Sequence, residues 1–472
     1  MNLIKQALGC CLLLVVLQNS FVPSISAQTP NASPASSTLT AQQLAVKVDE
    51  YMNAAAKAEG FSGSILVARD GSTVASKGYG LANIELNVPN TPQTVFRLAS
   101  LTKQFTALAI MMLQERGKLS TGDSICKYLD ACPATWQPIT IRQLLTHTSG
   151  IPNYTSFPDF ARTAVLPATH ESFIGRVKDR PLDFVAGEKF NYSNTGYYLL
   201  GVVVERAAGK SYEDFVQENI FTPLGMKNTG FDNPVRIIKN RAAGYEGQGE
   251  RIHNASYIDM SNGYAAGFIV STTEDLLLWD KALYTERLVS RKSLDEMFTP
   301  FKDLSPTKNY AYAWWLEKQS DRQAISHSGH INGFATYIMR YPAERVTVIV
   351  LSNNRGAPSE RVAKDLSAIA FGAPYKIPQE RKVIAVASAV LEKYAGQYQL
   401  RPNFIITMSL DNGKLLMQPN APQKVEMFAT SETEFFLKAG NAQFTFLKDA
   451  QGTVTGLIFH LNGQETTAPK IK

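Results

Sequence analysis

Cysteine, histidine and tryptophan are all scarce in this 472-residue chain: four, six and four residues respectively, and the first two scarcities narrow the chemistry. Cys10 and Cys11 fall in an N-terminal apolar stretch, which leaves Cys126 and Cys132, with room for a single disulfide between them or for two separate buried thiols. The histidines form no H-E-x-x-H, and His327 and His330 stand three apart in a stretch that reads as a strand, so they point to opposite faces and make a poor metal pair. No metal site is expected. Walker-type and dinucleotide-type glycine patterns are missing, so no cofactor is expected either. The stretch Gly60-Phe61-Ser62-Gly63-Ser64 lacks the last glycine of a G-x-S-x-G nucleophile elbow, which disfavours the α/β-hydrolase fold. Charge of one sign is thin as well. The formal net charge is +6 with 19% charged residues, both signs mixed and no arginine–lysine block, so there is no nucleic-acid footprint.

What is present begins with a leader. Lys5 supplies a positive start, Ala7 to Leu17 an apolar run, and Ile25 and Ala27 suit a cleavage site, so residues 1–27 read as a signal peptide and Gln28 as the mature start. The apolar run is too short for an ordinary spanning helix. Leu8-Gly9-Cys10 precedes that run instead of following it, so it is discounted as a lipoprotein box. No stable membrane anchor is expected after cleavage, and the protein is expected to be exported, periplasmic or secreted. Residues 28–39 read as a flexible tether rich in Pro, Ser, Thr and Asn. Thr40 then caps a helix, with Gln43 completing a capping box and Leu39 and Leu44 a hydrophobic staple.

Chemistry enters with three short motifs in order: Ser100-Leu-Thr-Lys103, Tyr192-Ser-Asn194 and His327-Ser328-Gly329. None is specific alone. Ser-x-x-Lys also occurs at Ser124–Lys127 and Ser305–Lys308, and Tyr-x-Asn also at Tyr51–Asn53. Only Ser100 opens an apolar helix, SLTKQFTALAIMMLQERGK, with apolar residues on more than one face and no glycine before Gly117. Residues three apart on a helix are neighbours, so Ser100 and Lys103 would project side by side near the helix N-terminus. Desolvation there would lower the lysine pKa and let it accept a proton. The bland alternative makes Ser100 an N-cap and Lys103 a solvated first-turn residue. Tyr192 sits in a loop leading into the apolar helix of GEKFNYSNTGYYLLGVVVERAAG, where a phenol could face a pocket or be satisfied locally. His147, in LLTHTSGI, reads as bracing a loop.

The stretches FRLASLTKQFTALAI, GKLS with ITIRQLLTHTSGIPNY, FNYSNTGYYLLG, AAGFIVSTTEDLLLW and ISHSGHINGF run in one order across roughly residues 45 to 370. Together they resemble the serine β-lactamase and penicillin-binding-protein superfamily, on the branch with class C β-lactamases, DD-peptidases and β-lactamase-like esterases. The resemblance implies that Ser100 is the acylated nucleophile, Lys103 its base partner, and Tyr192 a general acid/base. It implies that Asn194 binds a substrate amide or the lysine, that His327, Ser328 and Gly329 form the third motif on an edge strand, and that the backbone N–H groups of Ser100 and His330 form the oxyanion hole. Which of Lys and Tyr is the base is disputed in such enzymes. The chain departs from the class C pattern by carrying His-Ser-Gly where Lys-Thr-Gly is usual. Loss of the permanent cation weakens capture of a β-lactam carboxylate.

The fold expected is α/β (α+β): an antiparallel sheet flanked by helices, a helical subdomain, and then a small C-terminal β-barrel. Residues 62–83 read as a hairpin turning at Asp70-Gly71, residues 100–283 as mainly helical, and Ala313–Glu317, Ala324–Ser328 and Ala335–Ser352 as further strands, closed by a helix over Ser359–Phe371. The hydrolase domain is placed at 40–371 and a linker at 372–387. Turn signals at Asp411-Asn412-Gly413, Gly440-Asn441, Gln451-Gly452 and Asn462-Gly463 divide residues 388–472 into short alternating runs, a pattern of a small barrel or sandwich. That segment resembles the lipocalin-like module of some β-lactamase-like peptidases. The function expected is an exported serine hydrolase acting on small peptide, amide or ester substrates. The alternatives are a β-lactamase or D-alanyl-D-alanine carboxypeptidase, and a catalytically silent penicillin-binding protein. The substrate is a small molecule or peptide, and no oligomeric state is assigned.

Overall fold

Asp70 and Gly71 both adopt positive φ, 52° and 70°, so the two-residue turn between them matches the twist of the strands it joins. The computed structural model describes residues 39–472 except 131, 302–307, 320, 381, 403, 421–423, 438–441 and 462–463. The leader, residues 28–38 of the tether, the Ser305–Lys308 serine and the turns at Gly440-Asn441 and Asn462-Gly463 lie outside the described residues. The first helix, α1 (Ala41–Glu59), carries the expected capping box between Thr40 and Gln43 and ends on left-handed Gly60. The hairpin strands are β1 (Gly63–Arg69) and β2 (Ser72–Tyr79).

About two hundred residues later the chain returns to the same sheet through β3 (Lys308–Tyr310), β4 (Trp315–Gln319), β5 (Arg322–Ile331), β6 (Phe334–Tyr341) and β7 (Val346–Ser352). The strand order is β3-β4-β5-β6-β7-β1-β2, with every neighbouring pair antiparallel. Side-chain alternation divides the strands between two cores. Ile65, Val67, Tyr337, Met339, Val348 and Val350 pack with Leu44, Val48 and Tyr51 of α1 and with Val362 and Leu366 of the closing helix Ser359–Phe371. Leu66, Ile338, Ile349 and Leu351 pack instead with Phe105, Leu108 and the helical subdomain. The sheet is thus covered on both faces, which is why every residue of β6 and β7 is buried despite antiparallel pairing. Arg340 and Asp280 cross this second core as an ion pair at 2.7 Å with both side chains almost fully buried, and Thr347 donates to the same carboxylate at 2.6 Å.

Two strand expectations shift. The strand placed at Ala313–Glu317 starts instead at Trp315, because Ala313 takes φ 64° and breaks the extended run. The third-motif strand runs on from Ser328 to Ile331, and β3 was not legible from the sequence.

Beyond the left-handed Gly372 the chain crosses to eight strands in meander order between Gly396–Arg401 and Gln464–Pro469. Ile471 N–H donates to Gln397 O and Gln397 N–H to Lys472 O, both at 2.8 Å, so the two end segments meet and the barrel is nearly closed. Tyr394, stacked on Phe446 at 4.0 Å, fills its interior with Tyr398, Phe444 and Leu457. Asn412 and Gly413, at φ 50° and 74°, form the expected turn between its second and third strands.

Candidate active site

Ser100 lies in a 3₁₀ turn, Ala99–Leu101, that runs straight into the helix α2 (Thr102–Glu115). Ala99 is held at φ 51°, a left-handed conformation that only surrounding structure can impose on a non-glycine residue. That structure is explicit. Leu98 N–H donates to Ile269 O at 2.8 Å, Thr336 Oγ1 donates to Leu98 O at 2.9 Å, and Ile269 N–H donates to Thr102 Oγ1 at 3.1 Å. The turn that presents Ser100 is therefore fastened to the sheet on one side and to the helical subdomain on the other. Ser100 itself is half-buried.

The bland reading of this pair does not hold. Leu101, not Ser100, occupies the cap position of α2, and Lys103 is fully buried. Lys103 Nζ lies within hydrogen-bond distance of three oxygens: Ser100 Oγ at 3.0 Å, Asn194 Oδ1 at 2.8 Å and Ala266 O at 2.8 Å. Burial holds its pKa well below the usual lysine range. The competing motifs serve structure. Ser124 caps a 3₁₀ turn by accepting from Cys126 N–H, and exposed Lys127 pairs with Asp123. Tyr51 donates to Asp365 at 2.6 Å, far along the other face of the sheet.

Asn194 opens the helix α3 (Asn194–Ala208), whose first turn is wrapped by the segment 151–155. Asn194 N–H donates to Asn153 Oδ1 at 3.1 Å, Tyr154 N–H to Thr195 Oγ1 at 3.0 Å, and Thr195 Oγ1 to Pro152 O at 2.6 Å. With Oδ1 taken by Lys103, the Asn194 amide nitrogen has, among the described residues, only a long 3.4 Å contact with Thr155 Oγ1. Just upstream, the Tyr192 ring centroid stands 5.0 Å from Lys103 Nζ. The Tyr192 hydroxyl is buried beside Ser100, which favours its ionised form, although no hydrogen bond of ordinary geometry closes between them. Burial dominates and pushes the phenol above its usual pKa. Lysine pushed down and tyrosine pushed up favour the neutral form of both at rest, an amine with a free lone pair beside a phenol that keeps its proton.

The third wall is β5. Its neighbour β4 ends its pairing at Trp315 opposite Ser326, so His327–Ile331 extends past it and, among the described residues, no strand pairs with that edge. Gly329 lies against the serine turn: a Cβ there would come within 2.3 Å of Leu98 O and 3.2 Å of the Ala99 Cβ. A side chain would push the strand off the turn, so the glycine answers a close approach. His327 is buried, Ser328 half-buried and the His330 side chain exposed, as alternation along a strand requires. The backbone of His330 thus belongs to the stretch that faces the serine turn. The imidazole of His327 stands 6.2 Å from the Tyr192 ring, and burial together with the Lys103 charge pushes its pKa down to about 3.

Of two further residues in this wall, His147 was read from the sequence only as a loop brace and Tyr310 was missed. His147, at φ 57°, is fully buried and its ring packs 4.2 Å from that of Tyr192. Tyr310 on β3 stands between His147 and His327, 3.1 Å and 3.2 Å from their Nε2 atoms. A histidine inside the run LLTHTSG was a visible signal, although bracing is also what it does, through Ser193 N–H at 3.1 Å. Tyr310 follows a polar run with nothing to mark it. Away from the site, Cys126 and Cys132 are joined in a disulfide with Cα atoms 5.2 Å apart. Among the described residues no group of His, Cys, Asp and Glu is arranged to hold a metal ion.

The sequence profile of the β-lactamase family matches residues 48–371, and that of a domain of unknown function, DUF3471, matches 380–469. Penicillin-binding protein 4* of Bacillus subtilis is 32% identical over 436 residues, covering 87% of this chain and 95% of that protein. The octameric penicillin-binding protein homologue from Pyrococcus abyssi superposes with a TM-score of 0.64 at 26% identity, over 90% of this chain and 99% of the other. A D-stereospecific amidohydrolase from Streptomyces shares the fold, with a TM-score of 0.59 at 24% identity over 70% of this chain and 99% of its own. A family profile spanning most of the chain, and a relative at this identity over nearly its whole length, place the site in its lineage: the chain belongs to the β-lactamase family of serine hydrolases.

Proposed function

We propose that the protein is an exported hydrolase that forms an acyl-enzyme on Ser100 and acts on small peptide, amide or ester substrates. The observation that carries this is Lys103, fully buried with its Nζ 3.0 Å from Ser100 Oγ. In the first step Ser100 Oγ bonds to the substrate carbonyl carbon, and its proton passes to neutral Lys103 Nζ. Negative charge on the carbonyl oxygen is met by the N–H groups of Ser100, at the start of a helix, and of His330 on the third-motif strand. Tyr192 gives its phenolic proton to the leaving group as the carbon–nitrogen or carbon–oxygen bond breaks. Water then attacks the ester, its proton returns to the Tyr192 oxygen, and Ser100 Oγ leaves and regains the proton from Lys103. Asn194, through its weakly engaged amide nitrogen, and the backbone of His327–His330 hold the acyl chain.

A D-alanyl-D-alanine carboxypeptidase or β-lactamase is the second reading, favoured by the name of the Bacillus relative. Against it stands His327, buried and held neutral where a cation would meet a carboxylate. The Cys126–Cys132 disulfide supports export to an oxidising compartment. The deciding experiment is a panel of a p-nitrophenyl ester, nitrocefin and a D-Ala-D-Ala peptide against the wild type and Ser100→Ala. Turnover of the ester with loss in the variant supports the first reading. Preference for the D-Ala-D-Ala peptide or nitrocefin supports the second.

A further inference from the structure

Four hydrogen bonds run head to tail through the wall behind the third motif, and their ends are backbone groups whose roles are fixed. Ser193 N–H donates to His147 Nδ1 at 3.1 Å, so that nitrogen is an acceptor and the His147 proton sits on Nε2. At the other end His327 Nδ1 lies 2.6 Å from the Ser328 carbonyl oxygen, which can only accept, so His327 carries a proton on Nδ1. Between them, His147 Nε2–H is left to donate to Tyr310 Oη at 3.1 Å, and the Tyr310 hydroxyl, 3.2 Å from His327 Nε2, is then left to donate to it. A second proton on His327 would meet Tyr310 donor to donor. Burial opposes a positive imidazole first, and the titratable groups around it add to this: Lys103 from α2 when protonated, Lys308 from the strand that carries Tyr310, and His330 on the opposite face of its own strand.

We propose that His147 and Tyr310 are positioning residues that lock His327 as the neutral, Nδ1-protonated tautomer, so that the third-motif strand offers no cation and selects acyl donors without a carboxylate beside the scissile bond. The selection rests on the acyl-enzyme reading above, whereas the locking of the tautomer does not. It also gives His147 a task beyond the bracing its sequence context suggests, and explains how a histidine at the third motif is held neutral within a polar relay.

Two measurements separate the parts. In protein labelled with ¹⁵N-histidine, with the His327 signals identified by their loss in His327→Gln, His327 should show the Nδ1–H form with no titration between pH 5 and 8. The Tyr310→Phe variant should admit the second tautomer or a titration in that range, and His147→Asn is the alternative should Tyr310→Phe fail to fold. An Nε2–H form in the wild type, or an unchanged spectrum in a folded variant, overturns the positioning role. For selection, the kcat/KM ratio of nitrocefin to a neutral p-nitrophenyl ester should stay flat with pH in the wild type. In Tyr310→Phe it should rise roughly threefold or more between pH 8 and pH 5, the gain of one partly exposed ion pair. An unchanged ratio in a variant whose tautomer has shifted overturns the selection. Absence of any turnover, with Ser100 unlabelled, overturns the acyl-enzyme reading and the selection with it, while the spectra still decide the positioning role.

Discussion

At the scale of single residues, what sets Ser100, Lys103 and Tyr192 apart is what surrounds them and not their identities, which recur elsewhere in the chain. Ser124 has a lysine at the same spacing, yet its hydroxyl accepts from Cys126 N–H and donates to Gln137 O at 2.7 Å. Ser100→Ala should therefore abolish hydrolysis, with loss on the order of a millionfold where a nucleophile acts within a unit. Ser124→Ala should keep at least most of the activity. An active Ser100→Ala beside a dead Ser124→Ala would reverse the assignment. His327 carries a second consequence. Its native pKa is depressed to about 3 from an ordinary value near 6.5, so the unfolded chain binds the proton first as pH falls. The stability this neutral histidine contributes is whole above pH 6.5 and is lost progressively as the pH drops towards 3. Melting temperature should accordingly fall between pH 7 and pH 4, and fall less steeply in His327→Gln. Equal slopes would show that His327 titrates alike in both states.

At the scale of elements, what the sequence made legible was what periodicity and turn chemistry encode. Asp70-Gly71 marks its hairpin because both residues must adopt positive φ, and the Thr40–Gln43 capping box fixes the start of α1. The closing helix Ser359–Phe371 fell at its expected bounds. The apolar wrap of α2 showed a buried helix, and with it the setting of Lys103. The three-residue strand β3 was hidden because it is too short to alternate, and Tyr310 was hidden with it. The relay through Tyr310 joins residues 147, 310 and 327, a grouping set by tertiary packing that no local pattern carries. Two elements invite direct tests. Gly329→Val places side-chain atoms where even a Cβ meets Leu98 O at 2.3 Å, so β5 must part from the serine turn. Activity should fall at least about a hundredfold, the scale of a 1 Å misplacement, while far-ultraviolet circular dichroism stays native. A fully active Gly329→Val would mean that the strand does not need to touch the turn. Asp280→Ala leaves Arg340 charged and buried without its partner, and should cost about 3–5 kcal/mol of stability by denaturant unfolding. A cost under 1 kcal/mol would show that the pair is solvated in solution.

At the scale of the whole molecule, a two-faced antiparallel sheet holds the serine turn and the third-motif strand side by side, and a nearly closed barrel follows it in the chain. The barrel was legible because its strands are short, alternate, and are separated by turns such as Asn412-Gly413 that need positive φ. Among the described residues no helix is long and apolar enough to cross a membrane. The substrate was not legible, because the loops that would contact it, among them 151–155 around Asn194, are defined by their packing on α3 and not by any repeating pattern. Acyl transfer through Ser100 requires one covalent bond. Protein quenched during turnover of a p-nitrophenyl ester, then measured by intact mass and peptide mapping, should carry the acyl group on Ser100 and lose that adduct in Ser100→Ala. An adduct on any other residue, or full turnover in Ser100→Ala with none, would contradict it.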